Sequence, residues 1–148
     1  MPTLQNAADR AGLIARLDRL TPDTKGQWGV MNVSQMLAHC AASLRMAVGD
    51  LPVKAKRIPF FRHFPLKHLS LYVLPFPRNA PTAPELKSRA PKAFDAERVD
   101  IRTLLPRLDT ASFIGSVPDH PIFGSFTPAQ WGKLRFRHLD HHLRQFGV

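Results

Sequence analysis

The architecture of this chain depends on the stretch Phe126-Thr127-Pro128-Ala129-Gln130-Trp131-Gly132-Lys133-Leu134-Arg135-Phe136-Arg137-His138-Leu139-Asp140-His141-His142-Leu143-Arg144-Gln145-Phe146-Gly147. Thr127 can cap a helix, Pro128 suits the first helical position, and Gln130 stands where a capping-box partner reaches back. Gly147 directly follows the last periodic apolar residue and is a typical helix stop. The pattern therefore predicts a helix over residues 128–146.

Three histidines occur within five positions of this helix. At about 100° per residue, His142 lies about 50° from the centre of the apolar face, His138 about 90° and His141 about 150°. His138 and His142 are thus the pair that faces or flanks the interior, and imidazoles four residues apart on a helix can reach one divalent ion. The HxxxH motif alone is weak, because such histidines are more often ordinary polar groups on a helix flank. A metal would need a third ligand from elsewhere in the chain.

Length and composition indicate one globular domain over residues 1–148. The single cysteine, Cys40, excludes an internal disulfide and fits a reducing compartment. No long uncharged apolar run appears, and Asp9 and Arg10 interrupt the N-terminus early, so we expect a cytoplasmic protein without a signal peptide or membrane span.

The charge is strongly positive, with 21 Lys and Arg against 11 Asp and Glu. Residues 54–78 contain no acidic residue and interleave basic with aromatic side chains. Such a segment can bind nucleic acid or an anionic surface, but charge runs are usually solvated faces. An alternative function is therefore a non-catalytic basic module that binds nucleic acid or an anionic surface through residues 54–78. We favour a small-molecule substrate over nucleic acid as the partner.

The remaining pattern predicts three more helices. The first covers residues 6–20, and the second begins at the Asn32 cap and runs to Gly49-Asp50. The third begins at Asp95, with Val99, Leu104, Leu105 and Leu108 as core residues and Pro106 as a kink or break. Residues 51–94 carry eight of the 14 prolines, which predicts a short helical piece between Pro65 and Pro75 and an extended crossover over residues 77–84. The fold class is therefore all-α, a four-helix bundle with a long proline-rich crossover between helices 2 and 3.

His39 is the histidine of the second helix, about 120° from the centre of its apolar stripe. Periodicity alone allows it to face solvent, although Ala42 and Met46 on that side make a second buried face possible. Because bundles build metal sites from facing helices, His39 is the candidate third ligand. Cys40 points into the stripe and is more readily a small core residue than a nucleophile.

The motifs together resemble the DinB superfamily, and more narrowly a bacterial branch of undefined function. The resemblance is carried by Trp28-Gly29, by Met31-Asn32-Val33-Ser34-Gln35-Met36-Leu37-Ala38-His39, by the stretch from Pro77 to Pro84, and by His120-Pro121-Ile122-Phe123-Gly124 leading to the last-helix histidines. It implies a four-helix bundle, often dimeric, that holds a divalent metal with His39, His138 and His142. His141 becomes a neighbour of this site.

The resemblance also implies a class of chemistry, because characterised relatives include transferases and isomerases that use low-molecular-weight thiols. A divalent ion on three histidines keeps a position for substrate and can activate water or a thiol. We therefore expect a metal-dependent transferase or hydrolase acting on a small molecule, with zinc, nickel, copper or iron as the ion. No catalytic residue is assigned.

Several polar residues lie within a turn of the proposed ligands. Gln35, Asp140 and Gln145 are candidates to orient a ligand through its other ring nitrogen, and Asp140 is the weakest of them. Arg135 lies about 30° from the centre of the apolar face. It can either hold an anionic substrate or extend its charge to solvent.

Overall fold

The computed structural model describes residues 1–56, 58, 60, 63, 65–78, 84–86, 90–109 and 117–148. In these ranges the chain is helical and contains no strand beyond an isolated bridge between His120 and Gly124. The α-helices are α1 (Ala7–Leu17), α2 (Val33–Ala47), α3 (Leu66–His68), α4 (Phe94–Leu104) and α5 (Pro128–Gln145). A π-helical turn, Leu69–Val73, continues α3, and short 3-10 helices cover Pro84–Leu86 and Leu105–Leu108. The predicted all-α class is confirmed.

The starts of α2 and α5 follow the capping signals of the sequence. In α5, Thr127 Oγ1 accepts a hydrogen bond from the Gln130 backbone at 3.2 Å, and Gln130 Oε1 accepts one from the Thr127 backbone at 3.0 Å. Asn32 and Gln35 make the same reciprocal pair at the start of α2, at 2.9 Å each. Gly147 has a φ of +77° and ends α5.

Helix α2 lies at the centre of the packing, against both α4 and α5, while α1 packs against α5. Twelve of its 15 residues are buried, and many of these are small: Ala38, Cys40, Ala41, Ala42, Ser43 and Ala47. Small side chains allow neighbouring helices to approach closely, so α2 is covered on more than its apolar stripe. This burial includes His39, whose orientation periodicity left open.

Two expectations for the helices are wrong. The first helix ends at Leu17 rather than at residue 20. Val99, expected in the core, is 59% exposed, while Glu97 and Ile101 are buried. Val99 stands two residues from both, which places it about 160° around the helix from them. Residues 105–108 form a 3-10 helix around Pro106, as expected for an α-helix that breaks there.

The proline-rich region is only partly described. The short helical piece between Pro65 and Pro75 is confirmed as α3 and its π-helical turn. Arg137 of α5 donates hydrogen bonds to the carbonyl oxygens of Ser70, Leu71 and Leu74, which fastens this segment to α5. The predicted crossover over residues 77–84 falls largely on residues 79–83, which lie outside the described residues.

No helix among the described residues is long and apolar enough to span a membrane.

Candidate metal centre

Three buried histidines from two helices meet between α2 and α5. His39, from the middle of α2, and His138 and His142, from the second half of α5, are each at most 8% exposed. Each offers a ring nitrogen, and these nitrogens all lie within 4.8 Å of one another. The structure thus brings together the three residues that the sequence predicted as metal ligands.

The three rings are arranged so that nitrogens face each other. His39 Nε2 and His138 Nε2 are 3.0 Å apart, which is hydrogen-bond distance. The His142 ring lies 4.6 Å from the His138 ring and 4.9 Å from the His39 ring, measured between centroids, and is close to perpendicular to both. Two facing Nε2 atoms in the metal-free chain hold one proton between them, and a cation can take the place of that proton.

Gln145 fixes the orientation of His142. Gln145 Nε2 donates a hydrogen bond to the Trp28 carbonyl oxygen at 2.7 Å, so its Oε1 must face His142 Nδ1, which lies 2.8 Å away. Because an amide oxygen only accepts, His142 carries its proton on Nδ1. The lone pair of His142 is therefore on Nε2, the nitrogen that remains for a metal.

A second hydrogen-bond chain supports His138. Ser43 Oγ lies 3.1 Å from His138 Nδ1, and Arg135 Nη1 donates to the same Ser43 Oγ at 2.6 Å. A hydroxyl can accept from Arg135 and still either donate to or accept from the imidazole. Ser43 can therefore serve both tautomers of His138, including the one with a proton on Nδ1 and a free lone pair on Nε2.

The electrostatics favour neutral imidazoles, the form in which histidine binds metals. Burial lowers the pKa of His138 well below its ordinary value of 6.5, and the charged forms of His142 and His39 lower it further. Burial also lowers the pKa of His142 from 6.5 to about 4, against the opposing effect of the hydrogen bond with Gln145. The donor set, its tautomers and its charge state thus fit a divalent ion.

The other predicted neighbours are placed differently. Gln35 is exposed, and its Oε1 caps α2 by accepting from the Asn32 backbone N–H. Asp140 accepts hydrogen bonds from Arg16 and Arg144 instead of from a ligand histidine. His141 is half-buried, with its ring 5.2 Å from that of His142, and burial followed by the nearby charge of Arg78 lowers its pKa.

Cys40 has a structural role, and His120 lies in the wall of a cavity beside the histidine cluster. Cys40 is 2% exposed, and burial raises the pKa of its thiol to about 12, which makes it a core residue and not a nucleophile. His120 is buried in the turn before α5, where its Nδ1 accepts from the backbone N–H groups of Ile122 and Phe123 at 3.2 and 3.3 Å.

A cavity of about 820 Å³ opens beside the histidine cluster. All three candidate ligands line it, together with His141, Gln145 and Arg135. Its other walls are mainly apolar and include Phe76, from the segment that Arg137 fastens to α5. The centroid of the Phe76 ring lies 5.6 Å from that of His138. The volume lies within the range of about 300–1,000 Å³ that small-molecule sites occupy.

The basic segment 54–78 is described only in part, since residues 57, 59, 61, 62 and 64 lie outside the described ranges. Lys67 donates to the Ser125 carbonyl and stands 4.8 Å from the centre of the Phe126 ring. The Arg78 guanidinium lies 4.4 Å from the centre of the Trp28 ring. Two of the segment's cations thus contact aromatic rings of the chain itself.

The fold and the cluster define a class, an all-α protein with three buried histidines beside a small-molecule-sized cavity. The chain belongs to the DUF1569 family, described as a protein of unknown function, whose family model matches residues 3–147. Neither the curated proteins nor the solved structures yielded a significant match.

Several functional contacts escaped sequence reasoning. The link from Arg135 through Ser43 to His138 joins two helices, and nothing in the spacing of either helix signals it. The partner of Gln145 is the backbone carbonyl of Trp28, a group that every residue carries. The position of Phe76 over the cluster depends on how a proline-rich segment folds back.

Proposed function

We propose that this protein is a metal-dependent enzyme that holds a divalent ion with His39, His138 and His142 and acts on a small molecule. The observation that carries the proposal is the convergence of three buried ring nitrogens within 4.8 Å of one another. Burying a polar group costs free energy unless the group is hydrogen-bonded or binds an ion. A shared ion gives a reason for three such groups to converge at one point. A structural cluster would not need an open cavity beside it, whereas a catalytic metal site keeps room for substrate.

The chain's own residues have separable tasks in this proposal. The three histidines hold the ion, and Gln145 and Ser43 orient His142 and His138 through their other ring nitrogens. A divalent ion bound there would act as a Lewis acid and lower the pKa of a water or thiol. The apolar walls, including Phe76, lower the dielectric around the site and so strengthen its electrostatic interactions.

The resemblance of the sequence to the DinB superfamily supports the choice of reaction. We extend the proposal to a four-helix bundle of that type formed by α1, α2, α4 and α5 as one domain, with the proline-rich segment as crossover. Thiol transfer from a low-molecular-weight thiol is the first reaction class to test, and hydrolysis the second. On the same resemblance we propose a homodimer. Light scattering coupled to size-exclusion chromatography tests this directly by measuring the molar mass in solution.

The test is a two-reaction screen of protein loaded with zinc, nickel or ferrous iron. One reaction couples a low-molecular-weight thiol to an electrophile, and the other hydrolyses a small ester or amide. We expect the protein to catalyse one of the two reactions. That activity should require both the metal and His142, and it should therefore disappear in His142→Ala. His63→Ala, which changes an exposed histidine, is the matched control and should retain activity. Activity that survives in His142→Ala would refute the assignment.

A further inference from the structure

We infer, on the basis of the proposed function, that the substrate of this cavity is an organic anion with an apolar body, and that its charged group binds on the side of Arg135. Among the described residues, a buried guanidinium without a carboxylate partner lies beside a cavity whose lining carries no carboxylate, and this juxtaposition points to an anionic substrate. The inference names the substrate of the site and does not depend on which reaction occurs there.

The cavity carries only basic side-chain charges in its described lining. Among the described residues that line it, Lys54, Lys56 and Arg135 are basic, and none is Asp or Glu. An ion on the histidines would add further positive charge. Clefts lined by one sign of charge with low-dielectric walls concentrate ligands of the opposite sign. A cationic substrate would meet repulsion from every charged group of this lining.

Arg135 is the most informative of these cations because it is only 4% exposed. Its Nη1 donates to the Ser43 hydroxyl, and its guanidinium lies 5.3 Å from the centre of the Trp131 ring. Within the described part of the chain, its buried Nε has no hydrogen-bond partner. No carboxylate pairs with it among the described residues. Burying an uncompensated charge destabilises the folded chain, and an anion in the cavity would offset that destabilisation.

The remaining lining defines the body of the ligand. Met31, Leu74, Phe76, Ile122, Phe123 and Leu134 give the cavity broad apolar walls. A small inorganic anion would leave most of the roughly 820 Å³ unfilled. A carboxylate or phosphate monoester attached to an apolar group uses both parts of the site, since binding pockets combine apolar walls with few placed polar groups.

The test uses three matched probes, 4-phenylbutyrate, 4-phenylbutyl phosphate and 4-phenylbutan-1-ol, titrated by isothermal calorimetry into the full chain. At least one anion should bind about tenfold or more tightly than the alcohol, a difference of about 1.4 kcal/mol. The stronger of the two anions identifies the headgroup as carboxylate or phosphate. Equal binding of the alcohol, or no saturable binding of either anion, would overturn the inference.

Two variants locate the charged group. Arg135→Met should remove the preference for the anion over the alcohol. It should also fold, since the substitution removes the desolvation cost of a buried charge and keeps a side chain of comparable length. Arg102→Met, on the exposed surface of α4, is the control and should keep the preference. An anion preference that persists in folded Arg135→Met would overturn the role of Arg135.

The same titrations separate this inference from the proposed function. They are run on metal-free protein and on protein supplied with zinc. Anion binding without metal uptake would support the inferred substrate class and refute the proposed metal-dependent function. Metal uptake with no anion preference would support the proposed metal site and refute the inferred substrate class.

Discussion

Replacing Gln145 by leucine tests how the proposed metal site is supported while all three proposed ligands stay in place. Gln145→Leu keeps a side chain of similar size but deletes both polar atoms of the amide. His142 Nδ1 then loses its acceptor at 2.8 Å, and the Trp28 carbonyl loses its donor at 2.7 Å. His142 is no longer held in the tautomer that leaves Nε2 free for an ion.

The size of the effect follows from those two bonds. Removing the partner of a metal-ligating imidazole typically lowers metal affinity by about 10–100-fold, which corresponds to about 1.4–2.7 kcal/mol. Each buried group left without a partner also costs about 1–3 kcal/mol of folding stability. We therefore expect weaker zinc binding together with a lower free energy of unfolding.

The assay is a competition titration of zinc against a chromophoric chelator, with urea unfolding to confirm that the variant is folded. Gln35→Leu is the matched control, because it makes the same substitution one turn from another proposed ligand. Gln35 caps α2 and is exposed, so that variant should lose only capping stability and keep its zinc affinity. Gln145→Glu retains an acceptor for His142 and should bind zinc more tightly than Gln145→Leu. Equal zinc affinity in Gln145→Leu and wild type would refute the role given to Gln145.

Three further predictions follow from individual contacts. Ser43→Ala removes the acceptor of Arg135 and the partner of His138 Nδ1; it should lower zinc affinity by about tenfold or more in the same competition assay, and unchanged affinity would contradict the link. Burial lowers the pKa of His120 from 6.5 to about 2, so between these values the unfolded chain binds a proton that the folded chain does not, and stability falls as pH drops below about 6.5. In urea unfolding of metal-free protein, wild type should therefore lose about 2 kcal/mol more than His120→Asn between about pH 7 and 5, and an equal loss in both would contradict this. Thr127→Ala removes the cap of α5 and should cost about 1 kcal/mol of unfolding free energy, without changing the zinc affinity of the folded protein.

The parts of the fold that sequence predicted well are those set by local chemistry. Capping boxes act within four residues, so Thr127 and Asn32 marked the starts of α5 and α2 directly. The separation of His138 and His142 from His141 also followed from helix geometry, because the three share one helix. Their exposures agree with the predicted order, since His138 and His142 are buried while His141 is half-buried.

The parts that sequence did not determine depend on contacts between helices. His39 is buried because α2 is covered on several sides, a property of packing that its own periodicity does not contain. The prediction that Val99 lies in the core was wrong because the buried face of α4 includes Glu97. A charged residue does not indicate a buried face in an apolar pattern. Gln35 and Gln145 each lie about one turn from a proposed ligand, and the hydrogen bonds with Asn32 and Trp28 distinguish their roles.

The most direct test of the metal site is the metal content of the protein purified without an affinity tag, measured by elemental mass spectrometry. Wild type is compared with His39→Ala and His142→Ala, and with His141→Ala as a control on the same helix. The site predicts nearly one ion per chain in wild type and His141→Ala, and its loss in the other two variants. Absence of metal from wild type, with no uptake when zinc, nickel or ferrous iron is supplied, would contradict it.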